Sequence, residues 1–194
     1  MVSLDYSTAQ WVLSIIVGVC LTQVYITIAH HIHYRKEIVF YVPYLLLIGQ
    51  IFVQLVHLWF TSPYSYKMVE SNPLAFMIQI IINGISVIFT LLALPNGQVL
   101  STSNLNLKEF YQDTKKNWMV TLIIQFLLTN IFWIFFVTGI EGPSGNETWY
   151  SWIGLIGVPL TMKVLVLKYN NLYLHAGYHL IFTTAIMYSL LTNL

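Results

Sequence analysis

Residues 11–29 read WVLSIIVGVCLTQVYITIA, and HHIHYRK follows at once over 30–36. An α-helix rises about 1.5 Å per residue, so about 20 apolar residues match the hydrocarbon thickness of a bilayer. No Asp, Glu, Lys or Arg interrupts this run. No basic segment precedes it and no small-residue cleavage site follows it. It therefore reads as a retained first membrane span and not as a removed signal peptide.

The rest of the chain has the same character. Of 194 residues, 57% are hydrophobic and only 8% are Asp, Glu, Lys or Arg, against roughly 25% charged residues in a soluble domain. A water-soluble fold of this size cannot hide so much apolar surface, whereas a fold surrounded by lipid has no need to. Net charge is +1, which offers no basic face for phosphates and argues against a nucleic-acid partner. The single cysteine, Cys20, lies inside the first run, so neither an internal disulfide nor a CxxC motif exists.

Working outward, five further stretches satisfy the same length rule. The spans are 7–29, 38–60, 73–94, 117–138, 150–167 and 172–191, which predicts an all-α, polytopic integral membrane protein: one six-helix transmembrane domain covering 1–194. Ser62-Pro63, Ser71-Asn72-Pro73, Pro95-Asn96-Gly97 and Gly142-Pro143-Ser144-Gly145 punctuate the connections. Asn72 before Pro73 is a helix start, since asparagine caps and proline tolerates the first helical position. Asn106 three residues before Glu109 resembles another helix start and predicts a short interfacial helix in the 96–116 connection. Gly154, Gly157 and Pro159 make the fifth span short and kinked.

Sidedness follows from charge. Three connections fall on one side, and with the adjoining helix end they hold Arg35, Lys36, Lys108, Lys115, Lys116, Lys163 and Lys168. The other side has Lys67 with Asp5, Glu70, Glu141 and Glu147. Short loops rich in Lys and Arg stay in the cytoplasm, which puts both termini on the non-cytoplasmic side. Lys163 is near enough to the inner boundary to snorkel there. Asn146-Glu147-Thr148 fits a glycosylation triplet on the outer side. Tyr34, Trp59, Trp118, Trp149 and Trp152 fit an interfacial aromatic belt.

Two groups of polar residues could carry chemistry. Gln50, Gln54 and His57 are spaced four and three apart, hence on one helical face, and Gln79 and Asn83 repeat the pattern. Gln125 and Asn130 add amides from the fourth span. Such groups lose hydration in hydrocarbon and should face inward. Gln50, Gln54, His57, Gln79, Asn83 and Asn130 are thus candidate ligand-binding residues, the alternative being that they only join helices. The second group is His30, His31 and His33 at the end of the first span, with His175 and His179 at the start of the sixth. Neutral imidazoles from both helices could hold haem or another metal if those helices pack together.

No carboxylate lies within a span, which disfavours ion-coupled transport. HExxH, GxSxG, GxxxxGK[ST] and TVGYG are absent. The leading expectation is a non-catalytic protein of the lipid bilayer. It would bind a neutral or amphipathic molecule, such as a lipid, sterol or quinone-like compound, or serve as a subunit of a homo-oligomer or larger membrane complex. A haem- or metal-dependent membrane oxidoreductase and a small channel for a neutral solute are the rivals.

Overall fold

A computed structural model of the protein describes residues 6–69, 72–95, 105–137 and 156–193. They form six α-helices: α1 (Tyr6–His33), α2 (Val42–Val69), α3 (Pro73–Ala93), α4 (Leu107–Phe132), α5 (Val158–Lys168) and α6 (Leu172–Asn193). A π-helical turn, Trp133–Val137, prolongs α4. Among the described residues, four stretches are long and apolar enough to cross a membrane: Gln10–His33, Val42–Thr61, Pro73–Ala93 and Leu107–Phe136. The described part of the fifth region, α5, has 11 residues, positions 150–155 lying outside the described residues, and α6, with 22, is held below the same apolarity by two histidines and three tyrosines. Both chain ends, Asn146, Trp149, Trp152, Gly154 and the acidic residues Asp5, Glu70, Glu141 and Glu147 lie outside the described residues.

Local chemistry explains the helix starts. The Asn72 side chain accepts from the Ala75 amide at 3.2 Å, with Pro73 in the first helical position. Asn106 accepts from the amides of Lys108 and Glu109 at 3.1 and 3.4 Å. Asn171, which the sequence reading passed over, does the same for Tyr173 and Leu174 at 2.9 and 3.1 Å. Each supplies an acceptor to amides that have no partner within their own helix.

The bounds of α2 and the start of α4 differ from the expected spans. α2 begins at Val42 instead of residue 38 because Pro43 belongs to a first turn and the residues ahead of it are extended: Val39 pairs with Leu105 and Leu107 through backbone hydrogen bonds of 3.3 and 3.2 Å. α2 then runs on to Val69 through Ser62-Pro63. One proline forfeits one backbone hydrogen bond, which a long apolar helix tolerates. The expected interfacial helix near Asn106 is the start of α4 itself, since the cap opens a continuous helix of 26 residues.

α2 lies at the centre and touches α1, α3, α4 and α6. Its broadest contact is with α6, while α3 packs most extensively on α4, and α5 bridges α4 and α6. The side chains facing away from this core are apolar, among them Trp11, Ile15, Val19, Met77, Ile81 and Leu91. Replacing the α4 cap, Asn106→Ala, should lower stability by about 1 kcal/mol. A depressed thermal-unfolding midpoint in detergent that Asn106→Asp restores is the expected result.

Candidate functional site

The polar faces of α2 and α3 meet α4, α5 and α6 around a cavity of about 730 Å³. Gln50, Gln54 and His57 reach it from α2, and Gln79, Asn83 and Ser86 from α3. The four-and-three spacing recurs on both helices, so each contributes one stripe. α4 adds Gln125 and Phe126, α5 adds Lys163, and α6 adds Phe182 and Ser189. Leu58, Ile82, Leu122 and Ile186 supply an apolar portion of the wall.

The polar lining is cross-linked between helices. Gln54 Nε2 donates to Gln125 Oε1 at 3.4 Å, and Gln125 Nε2 donates to Ser86 Oγ at 2.6 Å. Gln79 Nε2 donates to Asn83 Oδ1 at 3.3 Å. His57 Nε2 lies 3.2 Å from the Ser189 hydroxyl, joining α2 to α6. The deepest link is Gln50, whose carbonyl oxygen stands 2.7 Å from His179 Nδ1. A carbonyl only accepts, so Nδ1 carries the proton; Nε2 of the neutral ring then accepts from the Tyr111 hydroxyl at 2.9 Å. Three helices, α4, α6 and α2, are thereby connected by one imidazole.

Of the six candidate amide and imidazole residues, five line this cavity. Asn130 does not: its Nδ2 donates to the Phe126 carbonyl of its own helix at 2.7 Å. The five positions from Gln125 to Asn130 rotate it about 140° around the helix, which takes it away from the Gln125 face. Ser86 and Ser189 join the site although hydroxyls inside a helix mostly bond their own backbone. Trp118, expected in an interfacial belt, is fully buried against Tyr111, Phe89 and His179, with ring centroids 5.4 to 6.2 Å away.

The histidines are not assembled as the metal reading required. α1 packs on α2 and α3, whereas α6 packs on α2 and α5, so α2 separates the two groups. His31 Nδ1 bonds the Thr27 carbonyl, and its ring rests on Tyr44. His30 and His33 both lie against Tyr34. His175 Nε2 donates to the Tyr169 carbonyl at 2.7 Å, and both nitrogens of His179 are engaged as above. Among the described residues, no three His, Cys, Asp or Glu side chains are placed to hold one metal ion. This donor set does not fit a haem or metal shared between the two groups, and no chemistry through such a centre follows from it.

Lys163 also departs from expectation. It is 3% exposed, and its ammonium lies 4.2 Å from the Phe126 ring centroid and 4.1 Å from that of Phe182. Phe182 stands about 15 Å along α6 from its start. The lysine therefore points into the bundle instead of toward the inner boundary, because a helical side chain leans toward its own N-terminus. Lys115, by contrast, donates to Asn170 Oδ1 at 2.5 Å and fastens α4 to the α5–α6 turn.

Gln50→Leu would leave the His179 Nδ1–H buried without an acceptor, at a cost of about 1–3 kcal/mol. The pair Gln50→Leu and His179→Leu should cost measurably less than the sum of the two single changes in a double-mutant cycle of unfolding. Additive effects would show that the contact contributes nothing.

Comparison with protein-family models, curated proteins and solved structures finds no match to this chain, so the functional reading rests on the site's own geometry.

Proposed function

We propose that this is a six-span integral membrane protein, with both termini on the non-cytoplasmic side, that binds an amphipathic or neutral small molecule inside its bundle without transforming it. The observation that carries the reading is the cavity of about 730 Å³ on which amides from α2, α3 and α4 converge. Its size falls within the roughly 300–1,000 Å³ of small-molecule sites, and a mostly apolar wall with a few fixed polar groups is their usual make-up. The surrounding bilayer would be the source of the ligand, a lipid, sterol or quinone-like molecule, since the outer faces of the long helices are apolar.

The sidedness has structural support. The connection after α1 is bonded to the one before α4 through Val39 and Leu105, and the α5–α6 turn is tied to α4 through Lys115 and Asn170. The three basic connections thus share one end of the bundle, which the positive-inside rule places in the cytoplasm. Single cysteines at positions 2 and 193 should react with an impermeant maleimide on intact cells. Labelling of either one only after permeabilisation contradicts the arrangement.

Binding is tested by Gln54→Leu. A polar contact between membrane helices averages about 0.6 kcal/mol, so the variant should remain folded with a small shift in unfolding midpoint. Native mass spectrometry of wild type in mild detergent should show a co-purifying small molecule that the variant loses. Equal occupancy in the two proteins would reduce the amides to interhelical joints.

A further inference from the structure

Among the described residues, Lys163 is the only charged side chain on the cavity wall. Two of its sides are covered by the faces of Phe126 and Phe182, each about 4 Å from the ammonium. Aromatic faces attract a cation through their quadrupoles, yet they leave the N–H donors of an ammonium poorly satisfied. Among the described residues Lys163 makes no hydrogen bond and no ion pair, and no interaction of it beyond those two rings exists. The described carboxylates, Glu37, Glu109 and Asp113, follow α1 or sit in the first two turns of α4, well before the level of Phe126.

A buried cation with no counter-charge is strongly unfavourable, and in membrane proteins such groups pair with one another or mark a ligand path. The amides and imidazoles on this wall already have partners, and the Tyr178 hydroxyl, which has none, carries no charge. None of the described residues supplies a negative charge at Lys163, which leaves that position open to an anion that enters the cavity. The same wall carries Leu122, Ile82 and Ile186 as well as the two phenylalanines, which suits a hydrocarbon chain and not a free hydrated ion.

We infer that the ligand of this cavity is a single-chain anionic amphiphile, a long-chain carboxylate whose head group pairs with the Lys163 ammonium and whose chain lies along the apolar wall. The inference rests on the binding role proposed above and adds the charge of the ligand to it.

Direct binding of radiolabelled palmitate and radiolabelled hexadecanol to the purified full-length protein in detergent separates the possibilities. The two differ at the head group, so partition into detergent cancels when their preference is compared between variants. A charge-assisted contact predicts that wild type favours palmitate by about tenfold or more. Lys163→Gln should bind both alike, and Lys163→Arg should keep the preference. If wild type binds hexadecanol as well as palmitate, the anionic head is wrong while the cavity reading stands. A preference that survives Lys163→Gln places the anion elsewhere and overturns the assignment. Binding of neither molecule rejects a single-chain amphiphile, and the Gln54→Leu comparison then decides the cavity reading separately. Should Lys163→Gln fail to fold, Lys163→Met takes its place in the same comparison, with the same expected loss of preference.

Discussion

A hydrogen-bonding side chain on a helix that lipid surrounds has to find its partner within the protein, on its own backbone or on a neighbouring helix, because no water is there to take its place. That constraint organises this protein. Gln50, His179 and Tyr111 meet in one chain of hydrogen bonds, and Gln54, Gln125 and Ser86 in another. The first fixes α2 and α4 against α6, and the second fixes α2 against α4 and α3. A single such bond is worth little net, but leaving one of its members unpaired costs about 1–3 kcal/mol. The links therefore select one rotational setting of each helix far more than they add to stability.

The same links keep a space open. The chain has only ten glycines, and the residues that face inward at this level are mostly amides, phenylalanines and other large side chains, with Ser86 and Ser189 among the few small ones. Amides meeting across the bundle hold α2, α3 and α4 at side-chain distance, and the cavity forms between them. α5 then closes a side of it with Lys163 and no broader polar stripe, while α6 contributes Phe182 and Ser189. The helix with the most neighbours, α2, is also the one whose polar stripe is longest, which is why the site is centred on it.

Much of this was legible in the chain, for physical reasons that also mark the limit. Apolar run length gives the long helices, and the spacing of Gln50, Gln54 and His57 gives the inward face, because both depend only on local helix geometry. Asn72 and Asn106 give helix starts for the same reason. Neighbour order is different, since it depends on which faces fit together over the whole bundle. His30, His31 and His33 and the pair His175 and His179 end up on helices that α2 keeps apart, and no single-helix pattern encodes that. Trp118 is amphipathic enough for an interface but large enough to fill the core between Tyr111 and Phe89. Asn130 fails through rotation alone, five positions from Gln125 being too far round the helix.

Lys163 differs from the rest of the polar core in carrying a charge. The amides and imidazoles on this wall have protein partners, and the buried atoms that lack one, such as the Tyr178 hydroxyl, belong to neutral groups whose desolvation costs far less than that of a cation. The lysine has only two ring faces. Its helix could have presented that charge to the inner boundary had the side chain followed the direction of α5; instead the lean of every helical side chain toward the N-terminus carries it inward. A cation placed there is tolerated only with an anion at hand. None of the described carboxylates reaches it, and a ligand that brings its own negative charge into the cavity, as inferred above, would supply the counter-charge.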